Sequence, residues 1–347
     1  MVALIALMAD FWIVSGTLAG PAPARPRAVH VRDGRIVAIE ATAPEGAQTL
    51  DAKGLFLVPA VIDAHVHLSV AGELQKVAEA ELKAGVAAVL DLGEPERLLQ
   101  GLPGLRPLRV LFAGPLLTAP KGYPTQSWGK DGYGAELASV DDAKAAVERL
   151  AAQGVSMVKL AFDGRFALLD PAVAKAATAA AHRKGLKVAA HALEVKMVRR
   201  ALEARVDVLA HTPVEPLPDD LVREIGARKL HVVSTLKAFG GSAGAIANLM
   251  KLAAAGATVV YGTDLGNAGT APGVDAGELA LLGKAGLSPA AILGAATSTA
   301  AALLGLGDLG SLEVGKAASL LALPADPLVD PGALARPAWV LIDGVRQ

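Results

Sequence analysis

Eight short apolar runs recur along the middle of this 347-residue chain, at 59–65, 86–92, 109–114, 155–160, 186–191, 206–211, 230–236 and 257–263. Short apolar runs without polar alternation fit strands covered on both faces, the pattern of a parallel sheet. Segments with helical periodicity lie between most of them: DDAKAAVERLAAQG, DPAVAKAATAAAHRKG, KMVRRALEAR, PDDLVREIGARK and AGAIANLMKLAAAG. Consecutive parallel strands need a crossover, and a helix supplies it. Eight such units within about 250 residues predict an α/β fold of the closed (β/α)8 TIM-barrel kind. A doubly wound open sheet is the alternative, but no glycine-rich phosphate loop follows the first strand.

The two ends of the chain read differently. FWIVSGTLAG, RAVHVRDGRIVAIEA and QTLDAKGLFLVP at the start, and GSLEVGKAASLLALPADPL and PAWVLIDGVRQ at the end, are strand-like. Asp33-Gly34 and Asp343-Gly344 carry the Asp-Gly signal of a hairpin turn. Both ends together therefore predict a small β-sandwich domain made of 1–57 plus 307–347, set against a barrel of 58–306. The opening MVALIALMAD is apolar, but it has no basic leader and is too short to span a bilayer. Cleavage near PAPA at 21–24 would discard a segment that reads as a strand, which favours a cytoplasmic protein over an exported one.

Composition narrows the function. Hydrophobic residues make up 53% and charged residues 19%, enough to build a large core. The net charge of −1, with both signs interspersed, argues against a nucleic-acid partner, and no stretch reads as a membrane segment. A small-molecule substrate is expected, with homo-oligomer formation open. Cysteine is absent, so any metal must be held by His, carboxylate or a lysine-derived oxygen.

In a barrel of this kind chemistry gathers at the C-terminal ends of the strands. The first run ends in DAHVH, where Asp63, His65 and His67 share one face because side chains alternate along a strand. Polar groups on a buried face need partners. The fourth run ends with Lys159, the fifth with His191, the sixth with His211, and the eighth is followed by Asp264. Any one of these alone has an ordinary reading as a capped, solvated or snorkelling side chain. Six of them at equivalent strand ends point instead to one metal-binding mouth. His30, His182 and His231 lie in a hairpin, in a helix and at the start of a strand, and read as structural or surface residues.

The ordered set DAHVH, SMVKLAFDG, AHAL, LAHTP, YGTDLG, GELALLGKAGLSPAAILGAATSTAAALLG and LGSLEVGKAASLLAL resembles the amidohydrolase superfamily over nearly the whole chain. The resemblance is nearest to its binuclear branch of prolidase-like and imidazolonepropionase-related hydrolases. Ala60, the second-strand AAVLD and Ser319 depart from the usual pattern, outside the ligand set. The resemblance implies two divalent metal ions, zinc first among them. His65, His67 and Asp264 would hold the buried ion, His191 and His211 the more exposed one, and a carboxylated Lys159 would bridge them. It also implies cleavage of a C–N bond by metal-activated hydroxide, with Asp264 moving the proton from the nucleophile to the leaving nitrogen. Xaa-Pro dipeptides and N-acyl amino acids are the expected substrates. A phosphotriesterase, lactonase or aminohydrolase on the same metal site is the alternative. Glu194, three residues past His191, would suit a mononuclear deaminase, but it reads as the start of a helix, and Lys159 favours the binuclear hydrolase. A scaffold without catalysis would be expected to lose ligands, and none is missing.

The long loop LTAPKGYPTQSWGKDGYGAE holds Tyr123, Trp128 and Tyr133. If it covers the site, Tyr123 would line an apolar subsite. Arg165, Lys121 or Lys130 could then meet a carboxylate. A loop that only packs on a neighbouring subunit is the competing expectation.

Overall fold

The computed structural model describes residues 10–19 and 26–347. The apolar opening and the PAPA segment therefore lie outside the described residues. No helix among the described residues is long and apolar enough to cross a membrane.

Both ends of the chain build one eight-stranded sheet. Asp10–Leu18 sits within it, with Pro26–Arg32 and Arg35–Glu40 on one side and Thr49–Asp51 pairing alongside. On the other side run Phe56–Pro59, Leu320–Leu323, Trp339–Ile342 and Val345–Arg346. The ends meet where Leu320–Leu323 pairs antiparallel with Phe56–Pro59. Both Asp-Gly hairpins form, with φ of 50° and 74° at Asp33 and Gly34 and 47° and 77° at Asp343 and Gly344. Successive left-handed residues are what a two-residue hairpin turn demands. The two turns nest so tightly that a Cβ on Gly34 would stand 2.6 Å from the Asp343 carbonyl oxygen. The sheet encloses its own apolar cluster, including Phe11, Ile13, Val29, Leu57, Leu320 and Leu341.

Between the ends lies the barrel. Its strands are Val61–Val66, Val86–Asp91, Arg109–Phe112, Met157–Phe162, Lys187–Ala192, Val208–Leu209, His231–Val233 and Thr258–Val260. Neighbours pair in parallel in chain order. The third strand breaks after Phe112 and resumes as Leu116–Thr118, the piece that pairs with the fourth. Gly114 is left-handed at φ 74° and Pro115 has no N–H, so the ladder cannot run straight through. Closure comes from the eighth strand's extension: Ala64 N–H donates to Tyr261 O, Asp264 N–H to His65 O and His67 N–H to Leu265 O, at 2.8–3.0 Å. The five helices read from the sequence form as Val140–Ala152, Pro171–Arg183, Val195–Glu203, Asp219–Ala227 and Ala243–Ala254. Ser139, Asp170 and Ser242 cap three of them by accepting a backbone N–H.

Besides the broken third strand and shorter sixth and seventh strands, the fourth differs from the sequence reading in a way that matters for the site. The fourth continues through Leu160 and Ala161 to Phe162, so Lys159 lies within it rather than at its end. Its long stem carries the amine up the barrel axis to the mouth.

Candidate active site

The first strand is buried at every position, including Asp63 and His65. Burying an amide-like group without a hydrogen bond costs about 2–7 kcal/mol, so each of these side chains must be satisfied. Asp63 is: its carboxylate accepts from the backbone N–H of His65 and Thr263 and from the Thr263 hydroxyl at 2.6 Å. It serves as a tie between the first and eighth strands, while the two histidines after it face the mouth. Burial still pushes its carboxyl up to about 7.

His65 Nδ1 lies 2.8 Å from the carbonyl of Ala210, an acceptor only, so Nδ1 carries the proton. Burial holds all four mouth histidines neutral: His191 is pushed down to about 3, and His65, His67 and His211 well below their ordinary value. The Nε2 lone pair of His65 therefore points inward. It meets His67 Nε2 at 3.3 Å, Asp264 Oδ1 at 3.3 Å and Lys159 Nζ at 3.0 Å. His67 Nε2 is 3.5 Å from the same Asp264 oxygen, with its Nδ1 turned to Gly93 O at 3.4 Å. Three acceptors converge, and Asp264 Oδ1 has no hydrogen-bond partner. Lone pairs facing one another in a dry site repel unless a cation sits among them. Ligand distances of about 2.0–2.2 Å at tetrahedral angles put donor atoms roughly 3.3–3.6 Å apart, the spacing seen here. The donor set fits a divalent ion.

His211 and His191 complete the mouth. The His211 ring lies 4.6 Å from that of His65 and 4.8 Å from that of His191, centroid to centroid. Its Nδ1 is 3.1 Å from Thr235 Oγ1 and 3.7 Å from Asp264 Oδ2, so the two oxygens of Asp264 face different histidines. His191 Nε2 is buried without a hydrogen-bond partner. Lys159 is fully enclosed, and burial pulls its amine down to about 8, while burial raises the Asp264 carboxyl to about 6. Asp264 and Thr235 both adopt left-handed backbone, at φ 57° and 41°. Such residues cost about 1–3 kcal/mol each, and here they aim side chains at the same point. All six sequence-derived candidates are thus brought together.

The long loop folds over them. Tyr123 stacks on His191 with centroids 4.6 Å apart and planes 25° apart. Trp128 lies 5.3 Å from the His67 ring, and its indole N–H donates to the Tyr123 hydroxyl at 2.8 Å. Arg165 is clamped by Asp163, Nε to Oδ1 at 3.0 Å and Nη2 to Oδ2 at 2.7 Å. Lys121 and Lys130 are exposed.

Several residues at the site escaped the sequence reading. Phe239 stands edge-on to His211 at 4.9 Å, and Phe166 lies 5.8 Å from Tyr123, both in loops that follow barrel strands. A scan of those loops for aromatics would have found them. Asp91, which ends the second strand, and Glu94 just beyond it are wholly buried and accept from Leu68 N–H and Ser69 N–H at 2.7 Å. Burial, with the Glu94 carboxyl beside it, raises Asp91 well above the usual carboxylate range. The other histidines lie apart: His30 stacks on Trp12, His182 pairs with Asp207, and His231 opens its strand.

A model of the amidohydrolase family matches residues 56–345. The chain belongs to the amidohydrolase family. It is a hydrolase acting on carbon–nitrogen bonds. Among curated proteins none matches this sequence. Among solved structures this amidohydrolase is similar to a presumed prolidase from Bifidobacterium longum, at 27% identity and TM-score 0.83 over 98% of this chain and 95% of that one. It also superposes on a Xaa-Pro dipeptidase with methionine in its active site, at 19% identity and TM-score 0.84, covering 97% and 99%. Molinate hydrolase matches at 18% identity and TM-score 0.79, covering 97% and 94%. At those lower identities the likeness establishes the fold.

Proposed function

We propose that this amidohydrolase cleaves the amide bond of small carboxylate-bearing substrates, Xaa-Pro dipeptides or N-acyl amino acids, at a centre holding two divalent ions. The convergence of His65 Nε2, His67 Nε2 and the unpartnered Asp264 Oδ1 carries this reading. His65, His67 and Asp264 would hold one ion and His191 and His211 the other, zinc being the expected metal for such a donor set. Bound together, the ions would supply an acidified water and a polarised carbonyl.

The chain's own residues do the rest. Lys159 Nζ, whose proton burial loosens, would give up that proton, add the freed lone pair to the carbon of carbon dioxide and lose a second proton as the carbamate forms. The resulting carbamate is an anion suited to lie between two cations, where an ammonium would repel both. Asp264 would take the proton of the attacking water and pass it to the leaving nitrogen, which as an amide anion would otherwise leave poorly. Ala210 O and Thr235 Oγ1 fix the rings of His65 and His211. Tyr123 and Trp128 keep bulk water off the histidines.

Arg165, with Nε and Nη2 held by Asp163, would present its remaining N–H groups to the substrate carboxylate, and Tyr123 would pack against the apolar part. A screen of dipeptides and N-acyl amino acids with metal-loaded protein tests the reading. Amidating the free carboxylate of a good substrate should lower kcat/KM by roughly 10- to 100-fold, the worth of a charge-assisted hydrogen bond. Unchanged rates after amidation, or turnover confined to phosphotriesters and lactones, would defeat the substrate assignment.

A further inference from the structure

Glu94 is a fully buried carboxylate that no step of the chemistry uses, yet it begins an unbroken chain of contacts ending over the site. Its Oε1 accepts from the backbone N–H of Ser69 at 2.7 Å and its Oε2 from the Ser69 hydroxyl at 2.6 Å. Since Ser69 spends its one proton on Glu94, the Tyr133 hydroxyl, 2.8 Å from Ser69 Oγ, must donate to it. The Tyr133 ring packs on Trp128 at 5.3 Å, and Trp128 packs on His67 and donates to Tyr123. The far end of the loop is tied separately, with Glu136 Oε1 accepting from Lys121 N–H at 2.8 Å and from the Thr125 hydroxyl at 3.1 Å. Between these ties the loop turns back on itself through Pro124 O, which accepts from the N–H of Ser127 and Gly129. Trp128, at 40% exposed, is the loop's outward aromatic, so its place over His67 depends on these anchors rather than on burial.

We propose that Glu94, Ser69 and Tyr133 are positioning residues that latch the aromatic loop to the barrel mouth. Latched, Trp128, Tyr123 and Phe239 form an apolar wall around three of the four histidines and select substrates carrying a large apolar side chain next to the scissile amide. The selectivity rests on the amide-hydrolase reading above, whereas the latch itself does not. A latch of hydrogen bonds also lets the loop release its product without unfolding any strand.

The test uses the full-length protein and trypsin, with Lys121 and Lys130 as exposed cleavage points on the loop. Tyr133→Phe and Glu94→Gln should speed cleavage there by about three- to tenfold in the metal-free protein, the worth of one lost hydrogen bond. Ser69→Thr, which keeps the hydroxyl, should restore the wild-type rate where Ser69→Ala does not. In metal-loaded protein the same variants should lose preference for large over small apolar dipeptides by a similar factor, through KM rather than kcat. Unchanged cleavage and unchanged preference in Tyr133→Phe would overturn the latch. Loaded wild-type protein that cleaves no C–N bond would defeat the amide assignment, while faster nicking in the variants would still establish the latch.

Discussion

Asp264→Asn should lower turnover by roughly 100- to 10,000-fold, the range lost with a general acid–base group, because on the proposed reading proton transfer and a metal ligand are impaired together. The fold should survive. In the metal-free protein Asp264 Oδ1 faces His65 and His67 Nε2 at 3.3 and 3.5 Å and has no hydrogen-bond partner of its own. An amide nitrogen in its place can donate to His67, which offsets the counter-charge that Lys159 loses. The metal-free variant should therefore melt close to the metal-free wild type. Added metal should raise the wild-type melting temperature more than the variant's, since stabilisation follows differential binding. His182→Asn, on an exposed helix face paired with Asp207, should leave turnover nearly intact and cost at most about 1 kcal/mol of stability. Equal losses in the two variants would show the site assignment to be wrong.

Lys159→Ala should reduce activity more than about 100-fold, beyond the 10- to 100-fold typical of an outer hydrogen-bond partner, because it would delete the proposed bridge itself. Elemental analysis separates this from misfolding. Wild-type protein prepared with metal and bicarbonate should carry two ions per chain, and Lys159→Ala one or none. Short carboxylic acids should restore part of the activity by placing a carboxylate where the proposed carbamate would lie. One ion in the wild type, or full activity in the variant, would remove Lys159 from the centre. Truncation also leaves a void in a fully buried site, so circular dichroism of both proteins belongs beside the assay.

Six residues that the fold brings together were legible in the sequence, for one physical reason. A buried parallel strand is an apolar run, and a His, Lys or Asp at its end breaks that pattern visibly, as in DAHVH, LAH and YGTD. Parallel strands in a barrel also share one functional end, so residues far apart in the chain are known to converge once the strands are counted. The paired β ends were legible too, through Asp-Gly turns that only a left-handed backbone can make. Loops carry no such periodicity. Whether the Tyr123–Tyr133 segment covers the mouth or faces outward depends on the Tyr133–Ser69–Glu94 contacts, and these join three segments with no sequence relation. The same holds for Phe239 and Phe166, ordinary aromatics until the barrel closes and brings them against His211 and Tyr123. The proton states were equally hidden. Neutral histidines, a depressed Lys159 amine and a raised Asp264 carboxyl all follow from desolvation, and only the closed tertiary structure removes the water.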